Sequence, residues 1–257
     1  MDERDLERTY AYINSVKDGL KQKNRFSCDP AFDELLHFYA KEQSNTGYIY
    51  GNTFLFRARI YKRNDAQHRY NYPPEGDFKG YDETDSFVNK DNESVTEGRC
   101  NPSYIPYLYT ASTEKCCIYE VRPTKESYVS VAKIRVGQKL KILRFDKGGN
   151  SADTGFCIIP GMDNAALCLY LSLEFSRPHK EYGDYLLCQY VSEKVKNMGF
   201  DGLSYASAIC PKNPREDSCF ETIKKRSNAN IIIFNYDKCR AISSRLVFVD
   251  DVTISYV

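Results

Sequence analysis

The chain of 257 residues has no tryptophan and only three histidines. His37, His68 and His179 stand in separate polar segments, and no spacing ties them into a triad or a metal site. The sequence contains no GxGxxG, no Walker loop, no HExxH and no GxSxG. Rossmann, P-loop, zinc-protease and α/β-hydrolase chemistry therefore lose their usual local signatures. The ten cysteines include no CxxC pair; the nearest approach is the adjacent Cys116-Cys117. Structural zinc uses paired ligands about two to four residues apart, twice over, so no metal is expected. No apolar run approaches the ~20 residues needed to span a bilayer, and no membrane association is expected. Basic excess is also missing, with Lys+Arg 36 against Asp+Glu 35. A general nucleic-acid binder would show such an excess.

The start, Met1-Asp2-Glu3-Arg4-Asp5, mixes both charge signs and has no apolar h-region. We therefore expect no secretory leader and a cytoplasmic location, with thiols reduced and buried as small apolar groups.

What is present is a globular composition: 42% hydrophobic residues, 21 Tyr and 14 Phe, at a mean hydropathy of -0.57. The length corresponds to about 1.7 average domains, hence one large domain plus an extension. Residues 1-45 read as two helices. The first has Tyr10, Ile13, Val16 and Leu20 at helical spacing, and the second starts at Asp29-Pro30 with an Asp cap. From residue 46 to 257 the texture is mixed. Strands are expected at Thr53–Tyr61, Ser127–Val136, Leu140–Phe145, Asp201–Ala208, Ile231–Phe234, Leu246–Val249 and Val252–Val257. Helices are expected near Ser112–Arg122, Asp163–Phe175 and Tyr182–Met198, the last ended by Gly199. Asn64–Cys100 and Gly148–Gly161 read as loops. The fold class is α+β, a domain of 46-257 behind a helical extension of 1-45.

A few polar residues stand in unusual places. Arg57 and Arg59, two apart in an apolar strand, share one face. Buried arginines need partners, and a diphosphate suits guanidinium forks, although an internal salt bridge satisfies them equally. Glu120 closes a helix, where an acid opposes the dipole; a site or a pairing with Arg122 accounts for it. Tyr107 and Tyr109 alternate about Leu108, and Ser207 ends a strand. Each has an ordinary structural alternative.

In order, the chain carries Phe56-Arg57-Ala58-Arg59, Gly98-Arg99-Cys100-Asn101-Pro102 and Ile105-Pro106-Tyr107-Leu108-Tyr109-Thr110-Ala111-Ser112. These are followed by Ile118-Tyr119-Glu120-Val121-Arg122-Pro123, Phe200-Asp201-Gly202-Leu203-Ser204-Tyr205-Ala206-Ser207 and Asn230-Ile231-Ile232-Ile233-Phe234. Together these runs resemble the RES domain family, named for an Arg, a Glu and a Ser, over about Tyr48–Tyr236. The resemblance implies an ADP-ribosyltransferase-like split β-sheet core with flanking helices. It implies a toxin of a toxin–antitoxin pair that consumes NAD as substrate, by phosphorolysis or hydrolysis, with inorganic phosphate or water as acceptor. By motif the catalytic set is Arg57, Tyr109, Glu120 and Ser207, with Arg59, Tyr107, Arg99 and Asn101 lining the substrate site. An Xre-type helix-turn-helix antitoxin is the partner the family implies. The chain departs from compact members by its two-helix extension, by a long Asn64–Glu97 stretch and by an insertion at Cys210–Lys225. The extension opens self-association as a homo-oligomer as another use. ADP-ribosyl transfer to a macromolecule and a catalytically inactive interaction module are the competing functions.

Overall fold

The computed structural model describes residues 3–27, 29–62, 77–89, 91–145, 164–177, 185–210 and 228–251. In chain order the elements are α1 (Glu3–Gln22), α2 (Pro30–Lys41), β1 (Thr46–Ile49), β2 (Phe54–Tyr61), β3 (Leu108–Ala111) and α3 (Glu114–Glu120). Then come β4 (Tyr128–Val136), β5 (Leu140–Arg144), α4 (Asn164–Ser176), α5 (Leu186–Asn197), β6 (Gly202–Ala206), β7 (Ala229–Ile233) and β8 (Cys239–Phe248). The mixed α+β class expected from the sequence is the one observed. The expected strand at Val252–Val257 and the loop at Gly148–Gly161 lie outside the described residues.

Local chemistry sets the element ends. Asp29 accepts from the Ala31 backbone N–H at 3.0 Å and Pro30 occupies the first helical turn of α2. This satisfies one orphan donor with a residue that has none of its own to lose. Thr113 caps α3 in the same way, accepting from Cys116 N–H at 3.1 Å. Gly199 ends α5 at φ +80°, a conformation that favours glycine.

By contacts the chain divides into two units. The first comprises Met1–Tyr48, Asn92–Pro106 and Lys141–Ala208. Its strands run in the order β1-β5-β6, and β5 pairs with β6 in parallel, Leu143 opposite Leu203. Helices α4 and α5 pack on β6, while α1 packs on both helices and α2 on α5. A run of rings knits this core. Tyr39 stacks on Phe145 at 5.2 Å, Phe145 on Phe175 at 4.8 Å, and Phe175 meets Tyr205 at 5.6 Å.

The second unit comprises Ile49–Asp91, Tyr107–Leu140 and Ile209–Val257, with strand order β7-β3-β2-β4-β8. Strands β2 and β4 pair antiparallel over their full length, from Phe54 opposite Arg135 to Tyr61 opposite Tyr128. Alternation splits β2 into two faces. Phe56, Ala58 and Ile60 pack on a core of Ala111, Cys116, Cys117, Val129 and Val131 beneath α3. Leu55, Arg57 and Arg59 occupy the other face.

The segment at 77–89 straps that second face. It starts on the edge of β8, where Ser244 exchanges backbone hydrogen bonds with Asp77 and Lys79. It continues through Gly80, which donates to Ser244 Oγ at 2.9 Å, and Tyr81, which donates to Ser130 Oγ at 2.9 Å. Gly80 is required here, because a Cβ would collide with the Ser130 side chain. Pairing along β8 also blunts an otherwise open strand edge.

Seven cysteines are described, all buried thiols outside any disulfide, in line with the expected use of cysteine as a small apolar group. Burial pushes the Cys100 thiol up to about 12 and raises Cys117 and Cys188 as well, so these are inert packing groups. Among the described residues no helix is long and apolar enough to cross a membrane.

Candidate active site

The second unit holds the Arg57, Tyr109 and Glu120 of the motifs. Strand β2 meets β3 at the antiparallel pair Phe56–Ala111, and among the described residues the register runs no further. Had the ladder continued, Ala58 would face Tyr109. The strands instead part, and the gap is filled by side chains. Arg57 donates from a terminal guanidinium nitrogen to the Tyr109 carbonyl at 3.1 Å. On the other side of the gap, Tyr81 Oη donates to Ile60 O and accepts from Lys62 N–H, each at 3.2 Å. Beyond the Phe56–Ala111 pair these two neighbouring strands of the mixed sheet diverge, and polar side chains satisfy the freed backbone.

Arg57 is half-buried as a residue. Its Nε is fully buried and, among the described residues, has no hydrogen-bond partner. Burial first, and the neighbouring Arg59 charge second, lower its pKa from the ordinary 12.5 to about 10, with Tyr109 opposing the shift. A buried cation with a donor to spare is a costly feature that an anion would relieve.

Arg59 has a different situation. It is exposed, donates to the Asp85 carbonyl of the strap at 2.6 Å, and lies 5.4 Å from the Tyr81 ring centroid. It also lines a cavity of about 420 Å³ together with Glu83, Asp85, Phe87, Cys239 and Arg240. Neither Arg57 nor Glu120 is among the residues around that space. Its walls mix both charge signs and do not gather the motif residues, so we place the candidate chemistry at the strand split instead.

Glu120 is the last residue of α3, as the sequence indicated. Its Oε1 accepts from Asn230 Nδ2 at 2.8 Å. Asn230, the second residue of β7, stands opposite Ala111 and is 6% exposed. Tyr109, half-buried on β3, alternates to the face of Ala111 and hence of Asn230. Tyr107 is buried against Phe234, ring centroids 4.7 Å apart.

The remaining motif residues, Arg99, Asn101 and Ser207, lie in the first unit. Arg99 donates from one nitrogen to the Phe175 carbonyl at 2.7 Å and the Arg177 carbonyl at 2.6 Å, closing the C-terminal end of α4. Its guanidinium also lies within 6 Å of the Tyr185 and Tyr205 rings. Asn101 is buried and donates to the carbonyls of Thr96 and Pro102, at 3.1 and 3.0 Å. Ser207 follows β6 and is half-buried.

Sequence reasoning missed two residues of this neighbourhood. Tyr81 was hidden in a segment read as loop. Asn230 was visible as an amide just before the apolar run Ile231-Ile232-Ile233, a costly placement unless it has a partner. Among the described residues no group of three or more His, Cys, Asp or Glu could hold a metal ion.

Arg57 on β2, Tyr109 on the adjoining β3 and Glu120 eleven residues on at the end of α3 are the candidate site of an α+β fold, with Arg57 on the opposite face of β2 from Phe56 and meeting Tyr109 at its backbone carbonyl. The RES domain family model matches residues 66–251, and the chain belongs to that family. The match contains Tyr109, Glu120 and Ser207 and begins after Arg57 and Arg59. No curated protein sequence matches the chain significantly. A solved structure described as the M. tuberculosis MbcT–MbcA toxin–antitoxin complex has 13% identity and a TM-score of 0.47, covering 85% of this chain and 93% of that one.

Proposed function

We propose that the protein is a NAD-degrading enzyme that cleaves the nicotinamide–ribose bond, with phosphate or water as acceptor, and acts as the toxin of a toxin–antitoxin pair. The observation that carries the reading is Arg57: a half-buried cation that donates to the Tyr109 carbonyl and keeps a buried Nε with no partner among the described residues. Family membership supplies the substrate class.

The chemistry needs little more than the residues at hand. The glycosidic bond to nicotinamide breaks through an oxocarbenium-like state. Nicotinamide leaves without a strong general acid. The protein must hold the diphosphate, exclude bulk water and stabilise positive charge on the ribose. Arg57 grips the diphosphate. The Tyr109 ring packs against nicotinamide. Glu120 bonds the ribose hydroxyls and stabilises the developing cation, or orients the acceptor. Ser207 enters on its motif alone. A cytoplasmic site of action and an Xre-type antitoxin follow from the same reading.

Glu120→Gln and Arg57→Ala are each expected to abolish NAD loss by the purified protein while leaving its circular dichroism unchanged. Full activity in either variant would sink the assignment.

A further inference from the structure

We infer that Asn230 is a positioning residue that fixes the Glu120 carboxylate for the reaction proposed above, on whose reading this inference rests. Glu120 stands at the end of a seven-residue helix, where the dipole disfavours a carboxylate. Something has to hold it there. The Asn230 amide does so with a donor at 2.8 Å.

The amide is itself oriented. Asn230 Oδ1 lies 3.9 Å from Cys116 Sγ, the thiol donating. Cys116 and Glu120 are four residues apart, so they lie on one face of α3, the face turned to β7. Asn230 bridges them. A thiol donor at one end and a carboxylate acceptor at the other fix which way the amide points, since the flipped amide would set its N–H₂ against the thiol and its oxygen against the carboxylate. Cys116 is fully buried and Asn230 nearly so, which makes the pair a rigid support.

The geometry separates this role from simple packing. An apolar strand residue at 230 would fit the pattern of Ile231, Ile232 and Ile233 beside it. The amide adds polarity that strand formation does not need. Of the charged groups nearby, Glu114 is paired with Arg245 at 2.6 Å. Lys115 is on the helix itself, Arg122 lies just beyond it, and β7 contributes no charged residue.

The test compares NAD consumption by the purified full chain, across pH, for wild type, Asn230→Ala, Asn230→Asp, Cys116→Ala and Glu120→Gln. Asn230→Ala is expected to lower kcat by about ten- to a hundredfold, the rate equivalent of one hydrogen bond to a charged group, with KM changed far less. Asn230→Asp keeps the shape but places a second carboxylate against Glu120. The acid limb of its pH–rate profile is expected to move up by about one pH unit or more. Cys116→Ala should cause a smaller loss, because it removes only the orienting donor. Should Asn230→Ala fail to fold, the isosteric Asn230→Asp and Cys116→Ala carry the test. Wild-type kcat and an unmoved pH profile in Asn230→Asp, with Glu120→Gln inactive, would overturn the inference and leave the proposed function standing. A wild type that spares NAD overturns both.

Discussion

Two half-buried arginines, one in each unit, make opposite use of the same chemistry. Arg99 gives one nitrogen to two carbonyls at 2.7 and 2.6 Å and lies against two tyrosine rings. Arg57 gives one nitrogen to one carbonyl at 3.1 Å and keeps a buried Nε without a described partner. Both belong to motifs of the same family. The comparison teaches that motif membership does not separate support from chemistry, whereas hydrogen-bond accounting does. The described bonds of Arg99 tie two backbone carbonyls together, whereas Arg57 keeps a buried Nε with no partner among the described residues, the place we propose for an anion.

The comparison can be broken by substitution. The largest effect expected is on activity, in Arg57→Met. NAD turnover should fall by more than about a hundredfold, as for loss of a major electrostatic contact. Stability to urea should change by no more than about 1 kcal/mol, because replacing a buried charge by an apolar group of similar length is often nearly neutral. A loss above about 3 kcal/mol, the cost of breaking a structural buried pair, would make Arg57 a support like Arg99. Arg99→Met should behave in the reverse sense. It leaves two carbonyls at the end of α4 without their donor and should cost about 2–3 kcal/mol in the same denaturation experiment.

Gly80→Ala should come next, at about 1–3 kcal/mol, because the added Cβ meets the Ser130 side chain under the strap. Ser130→Ala in the same chain should recover part of that loss, and no recovery would argue against the close approach. Tyr81→Phe should cost about 1 kcal/mol, since its hydroxyl serves both Ile60 O and Lys62 N–H at the split.

The smallest effect is a pH dependence. Arg57 carries its charge below about 10 and loses it as pH rises through that value. Affinity for NAD, measured by isothermal titration in the inactive Glu120→Gln variant, should be flat from neutral pH upward and fall above about pH 10. An arginine at its ordinary 12.5 would show no such fall.

Much of the fold was legible in the sequence because local signals and burial agreed. Asp29-Pro30 opens α2, Thr113 caps α3 and Gly199 closes α5. Apolar alternation located β2, β4 and β6. The first half of β8 was not legible, since Cys239-Arg240-Ala241-Ile242-Ser243-Ser244 carries little apolar matter. Its pairing with β4 also shifts register between Lys133 and Ile134, which breaks the period of two. At the site, Arg57, Tyr109 and Glu120 could be named from motif order. What could not be read was which backbone carbonyls each arginine serves, because those at Phe175 and Arg177 that Arg99 bridges lie more than 70 positions away along the chain. The Asn230–Glu120 contact is equally nonlocal, bridging 110 positions.

The most direct test of the account is incubation of the purified chain with NAD, with and without inorganic phosphate, followed by mass spectrometry of the products. The account predicts that NAD disappears and free nicotinamide appears, with the second product identifying phosphate or water as the acceptor. NAD surviving intact in both conditions would contradict it.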